Sequence, residues 1–284
     1  MCLTIHKSMI DNPEDILHKD PAVEAVEYMV ASDPAVMHAA DPTKRVGFIQ
    51  SRGLGDLFIA LPIAGYYKDQ GYSVYWPICE EFLPTMSQCA PWVHWLPLKT
   101  DPRGAYFYDR PMVALKYNVE PDQIINLMQY LSSRPQDSDP DIFPILKFDQ
   151  YKYAKAGVPF LHKWQLSKYL VRDPVAESAL KRLVCPEDKP YIVAHLEGST
   201  ARAELDFSEA EAAGYHVVYI KEGIAPNAVD WLGVIEGAEE LFLIDSCFSN
   251  LVDQLDIPVS KTFIRRSKMD LTPVLGSDWG YMSP

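Results

Sequence analysis

Arg45-Val46-Gly47-Phe48-Ile49-Gln50-Ser51-Arg52-Gly53-Leu54-Gly55-Asp56 is the stretch on which the fold turns. The apolar run from Val46 to Ile49 reads as a buried strand, Gly53-Leu54-Gly55 as a turn, and residues 56–69 as a helix. Strand, glycine turn and helix together open an α/β domain, in which ligands bind at the carboxyl edge of the strands. The glycines let the main chain come close to a ligand. Asp56 stands at the helix start, where it either caps the helix or presents a catalytic carboxylate.

The same grammar continues downstream. A strand over 72–76 follows Gly71, then a helix over 80–89 and a strand over 92–98. A helix is expected over 123–131, a polar loop over 132–141, and a helical, aromatic stretch over 149–170 that ends at Arg172-Asp173-Pro174. The pattern then restarts: helix 175–183, strand 191–196, glycine turn 197–200, helix 203–213 and strands 215–220, 241–244 and 259–264, with helices over 228–236 and 247–255. Upstream, short amphipathic stretches (22–30 and 35–39) are broken by Asp33-Pro34 and Asp41-Pro42. The expected organisation is α/β, with a helical arm over 1–44, one domain over 45–170, a second over 171–265, and a surface tail or strap over 266–284. No period of 20 to 50 residues marks a solenoid.

Composition narrows the function. The 284 residues are 48% apolar and 12% aromatic, so the net charge of -13 sits on a folded surface. With 39 acids against 26 bases, a general binder of phosphate backbones is disfavoured. No run approaches the roughly 20 apolar residues that span a bilayer, and the start lacks the basic flank and apolar stretch of a signal peptide, which predicts a cytoplasmic protein. Five scattered cysteines and seven scattered histidines give no metal-ligand spacing, so no metal is expected.

Two further turns carry candidate chemistry. Leu196-Glu197-Gly198-Ser199-Thr200-Ala201-Arg202 follows a strand. Its main-chain amides, two hydroxyls and Arg202 suit a diphosphate, or else form a polar turn with a surface arginine. Ile244-Asp245-Ser246-Cys247-Phe248-Ser249-Asn250-Leu251 passes from strand to helix. The helix start would favour negative charge and Asp245 would accept from sugar hydroxyls, or Asp245 or Ser246 caps the helix. Lys221-Glu222, just past a strand, would either touch a ribose or face solvent. Asp137, Asp139 and Asp141 read as turn acids rather than a metal site, and His195 reads as a core histidine. Gly53-x-Gly55 lacks the third glycine of a dinucleotide fingerprint, since Phe58 stands there, and no Gly-Lys-Ser/Thr ending marks an ATPase.

Taken together, the three turns resemble the glycosyltransferases of the bacterial heptosyltransferase type (glycosyltransferase family 9), over roughly residues 45–265. That family has a turn ending in Gly-Asp before a helix with a proline about six residues on, matched here by Ser51 to Asp56 and by Pro62. Near its C-terminus it has Asp-Ser/Thr-Gly-x-x-His-Leu-Ala and a later proline; here Asp245, Ser246, Leu251 and Pro258 match, while Cys247 and Asn250 replace the Gly and His. The resemblance implies the GT-B architecture, two facing Rossmann-like domains with the acceptor on the first and a nucleotide sugar on the second. It implies inverting transfer to a hydroxyl acceptor, a glycan, lipid-linked sugar or modified nucleic acid, with Asp56 as general base. The diphosphate would rest on Ser199, Thr200, Arg202, Ser246, Ser249 and Asn250, and the sugar and nucleoside on Asp245, Lys221 and Glu222. Gly53, Gly55 and Gly198 would allow close approach, and no metal or other cofactor would be needed beyond the nucleotide sugar as co-substrate. Two alternatives are a transferase acting on hydroxymethylated bases of DNA, as some bacteriophages possess, and a non-catalytic module that keeps the nucleotide-sugar cleft.

Overall fold

The computed structural model describes residues 44–100, 108–128, 146–185, 189–266 and 272–282, so the expected arm and the Asp137–Asp141 loop lie outside the described residues. Strand β1 (Arg45–Ile49) is buried almost throughout, because it lies inside a parallel sheet of order β3-β2-β1-β4. Helix α1 (Leu54–Asp69) follows the glycine turn. Its buried set runs unbroken from Leu57 to Gly65, which marks a helix covered on all sides rather than an amphipathic surface helix. Strand β2 (Ser73–Cys79) runs beyond the expected segment and through Pro77. A proline is tolerated there because the ladder with β1 ends at Tyr75.

A short 3-10 turn (Glu80–Phe82), α2 (Leu83–Cys89) and β3 (His94–Leu98) occupy the expected places. The segment expected as a helix over 123–131 does not in its described part, 123–128. Residues Gln123–Asn126 form β4, paired in parallel with β1 from Val46↔Gln123 to Ile49↔Asn126, and the crossover helix is α3 (Asp109–Asn118). The β-branched pair Ile124-Ile125 fills the open side of β1, and that tertiary demand overrides a short, ambiguous apolar pattern. The aromatic stretch divides into α4 (Phe148–Lys155) and a kinked 3-10 segment (Phe160–Lys168), separated at Gly157, whose φ is 64°.

Asp173 caps α5 (Pro174–Val184) by accepting from the amides of Val175 and Ala176, with Pro174 at the first helical position. The second sheet has the order β6-β5-β7-β8-β9, all parallel. Its strands are β5 (Tyr191–His195), β6 (His216–Tyr219), β7 (Glu240–Ile244), β8 (Ser260–Ile264) and β9 (Trp279–Met282). Helix α6 (Ser208–Ala212) is shorter than expected, a 3-10 turn (Ala228–Trp231) leads into α7 (Leu232–Ile235), and α8 (Cys247–Gln254) precedes β8. The C-terminal segment is more than a tail, since β9 closes the edge of the sheet. Trp279 is buried against Phe263, with ring centroids 5.9 Å apart, and its indole N–H donates to Asp253 Oδ1 at 3.1 Å.

One continuous apolar cluster runs from β1 and α1 through Leu166 and Leu170 to Leu251 and Val252 of α8. Within this seam lies a buried ionic group. Lys163 is fully buried, with its ammonium 3.0 Å from Asp149 Oδ2 and 3.1 Å from Asp253 Oδ2, and it donates to the Val274 carbonyl. Asp149 accepts from the Val274 amide at 2.9 Å, and Asp253 Oδ1 from the Gly276 amide at 2.7 Å. The C-terminal strap, α4, the 3-10 segment and α8 are therefore joined by one set of buried charges and amides.

Candidate functional site

The site begins where β1 ends. Gly53, with φ of 84°, occupies the left-handed region that favours glycine, and a side chain there would also stand 2.8 Å from Asp56 Oδ2. Asp56 lies in the first turn of α1, where a carboxylate is favoured by the helix dipole. It is not a helix cap: among the described residues its partner is Lys152 of α4, whose ammonium lies 3.2 Å from Oδ1. Lys152 is fully buried and also donates to Gln50 Oε1 at 2.5 Å and to the Leu127 carbonyl at 2.8 Å.

On the second sheet, the turn after β5 is closed by Gly198 N–H to the Ala201 carbonyl at 2.8 Å and Ala203 N–H to Leu196 at 2.9 Å. Gly198 lies against the Arg266 side chain and the Asp245 main chain, so the turns after β5 and β7 meet. Asp245 is buried and paired with Arg266 at 3.0 Å, and the same guanidinium reaches Ser199 Oγ at 3.5 Å. Burial pushes the Asp245 carboxyl up; the Asp56 charge adds to this, and Arg266 opposes it.

Contact between the two edges is made at Gly55. A Cβ on Gly55 would stand 2.9 Å from Asn250 Nδ2 and 3.4 Å from the Cys247 amide nitrogen, so the starts of α1 and α8 abut with no room for a side chain. Cys247 and Asn250 thus serve a helix-to-helix contact. Gly55→Ala is expected to cost about 1–3 kcal/mol by overpacking. Urea unfolding of the variant measures this, and a midpoint equal to wild type would refute the fit.

The other sequence-derived candidates divide. Ser246 caps α8, accepting from the Phe248 amide at 3.3 Å and bonding His195 Nδ1 at 3.1 Å. Ser249 completes a capping box and is fully buried, and Asn250 is buried with Nδ2 on the Ser246 carbonyl at 3.0 Å. Both are therefore buried, Ser249 within the capping box and Asn250 at the helix contact. Ser199 and Thr200 are exposed. Arg202 is exposed and 3.6 Å from Glu197, and with Leu196, Tyr219 and Lys221 it lines a cleft of about 370 Å³ beyond β5 and β6. Glu222 is exposed beside it without lining it. His195 is the satisfied core histidine expected, pushed down to about 4 by burial and in edge contact with Phe248. Burial raises the Cys247 thiol to about 12, which removes it as a nucleophile.

Sequence reasoning missed Lys152, Lys163 and Arg266. Nothing in the local pattern separates a buried lysine from an exposed one on an amphipathic helix. Arg266 follows a strand end as Arg202 does, and that position was its one available signal. Among the described residues no three His, Cys, Asp or Glu side chains cluster to hold a metal, and no helix is long and apolar enough to cross a membrane. Cys79, Cys89, Cys185 and Cys247 are free thiols.

No protein-family model and no curated protein matches the sequence. Solved structures do match it. The glycosyl transferase family 9 protein from Veillonella parvula superposes with a TM-score of 0.54 at 12% identity, over 86% of this chain and 88% of that one. The dodecameric iron-containing heptosyltransferase TibC, solved with ADP-D-beta-D-heptose, superposes with a TM-score of 0.51 at 12% identity. That match covers 84% of this chain and 62% of TibC. The chain thus has the α/β fold of family 9 glycosyltransferases, with parallel sheets and the three turns at their carboxyl edges.

Proposed function

We propose that this protein is a GT-B glycosyltransferase that moves a sugar from a nucleotide-sugar donor to an acceptor hydroxyl, with inversion and without a metal. The observation that carries this reading is the meeting of α1 and α8 at Gly55, which brings the helix start that carries Asp56 against the helix start that follows Asp245, the residue paired with Arg266. A base and an anion-binding group drawn from opposite sheets is the arrangement that transfer between two bound substrates requires.

In the proposed step the acceptor oxygen attacks the anomeric carbon and its proton passes to Asp56. The bond from that carbon to the β-phosphate oxygen breaks, and its electron pair leaves with the nucleoside diphosphate. Attack from the face opposite the leaving group inverts the configuration. Arg266 and the exposed Ser199 and Thr200 would meet the charge that develops on the diphosphate. The nucleoside would lie in the cleft of Leu196, Arg202, Tyr219 and Lys221. Residues 45–170 would then present the acceptor and residues 171–265 the donor.

A thermal-shift panel of UDP-glucose, GDP-mannose, ADP-glucose and ADP-heptose tests the donor half without an acceptor. Binding at about 100 times Kd adds about 2.7 kcal/mol of stability. One nucleotide sugar should raise Tm selectively, and Arg266→Ala should shrink that rise relative to its own unliganded Tm. No rise with any nucleotide sugar or nucleoside diphosphate would remove the reading.

A further inference from the structure

Lys152 is a buried ammonium with an unusual set of partners. Leaving such a group without compensation costs several kcal/mol, so its neighbours report its purpose. Two are neutral acceptors at the ends of adjacent strands: Gln50 Oε1, just past β1, and the Leu127 carbonyl, just past β4. Gln50 is itself held, donating to the Arg52 carbonyl at 2.7 Å, while its own carbonyl accepts from the Trp76 indole at 2.9 Å. The ammonium is therefore a fixed post at the carboxyl edge of the first sheet.

The third partner is Asp56. Its Oδ1 is buried and takes no hydrogen bond among the described residues, so the ammonium at 3.2 Å is the charge that compensates it. The exposed part of the side chain, 27% accessible, lies on the Oδ2 side, over Gly53. A carboxylate serving only the helix dipole would be equally well satisfied in water. One that must present a single oxygen in a fixed direction needs an anchor on the other.

We propose that Lys152 is a positioning residue, which pins Oδ1 of Asp56 and reserves Oδ2 as the atom that takes the acceptor's proton. The proposal rests on the transferase reading. Lys152 keeps its proton throughout, and the proton from the acceptor ends on Oδ2 as the nucleoside diphosphate departs.

The test is the release of nucleoside diphosphate from the nucleotide sugar giving the largest shift in the panel above, with water as acceptor. Lys152→Gln keeps N–H donors toward Gln50 and Leu127 but loses the charge. It should lower kcat at least tenfold and leave donor KM within twofold. In an Asp56→Asn background the same change should cost less than twofold, because the group it positions is gone. An equal loss in both backgrounds would mean that Lys152 acts through the general fold, which overturns the proposal, as would an unchanged kcat. Gln50→Met, which removes one anchor and no charge, is the second variant should Lys152→Gln not fold. It should lower kcat severalfold at unchanged KM, and no change overturns the proposal. If no nucleotide sugar or nucleoside diphosphate raises Tm in the panel above, the transferase reading has failed and this role falls with it. Wild-type turnover that survives Lys152→Gln rejects the role of Lys152 alone.

Discussion

Asp56→Asn is expected to reduce sugar transfer by about 10²–10⁴-fold, the range that loss of a positioned general base produces. Asparagine keeps the shape and stays within reach of Lys152, but it has no carboxylate to accept the acceptor's proton. Donor affinity, measured by calorimetry, should stay within twofold of wild type, since the groups proposed for the diphosphate belong to the other sheet. Turnover within tenfold of wild type would dismiss Asp56 as the base. Weakened donor binding at unchanged kcat would instead make Asp56 part of the donor site. The split between kcat and binding makes the result specific, because removing an interaction made only in the transition state lowers the rate without touching the ground state.

The largest effect on stability is expected at Lys163. Lys163→Met would leave Asp149 and Asp253 facing each other in a buried site without their shared cation. Removing one partner of a buried ion pair costs about 3–5 kcal/mol. Asp149→Asn should cost less, because an amide oxygen still accepts from Lys163 and from the Val274 amide. Urea unfolding of both variants gives the comparison. A loss below about 1 kcal/mol for Lys163→Met would show the seam to be held by apolar packing alone. The variant also bears on the site, since Asp253 belongs to α8, whose start abuts Gly55. Loosening one end of that helix is expected to reach the other.

Much of the fold was legible because parallel strands buried on both faces read as short apolar runs, and because glycine turns and Asp-Pro junctions punctuate them. The Asp173-Pro174 junction proved to be a helix cap and first turn, as such a pair specifies locally. The strand over Gln123–Asn126 was not legible. Four residues carry too little periodicity to distinguish strand from helix, and the open side of β1 decided it. The last segment read as a surface tail or a strap, and part of it forms β9 because Trp279 has a buried site against Phe263 and Asp253.

By itself the sequence determined the α/β alternation and the three turns at strand ends, and it offered Asp56, Ser199, Thr200, Arg202, Asp245, Ser246, Ser249 and Asn250, with Lys221 and Glu222, as candidates for chemistry. Tertiary structure alone decided which groups face each other. It buried Ser249 in a capping box, set Asn250 against Gly55, brought Arg266 onto Asp245, and set the buried Lys152 against Asp56. Local patterns record interactions among near neighbours in the chain, where spacing alone fixes geometry. A partner that arrives from a distant helix is fixed only once the sheet order and the packing of both halves are known.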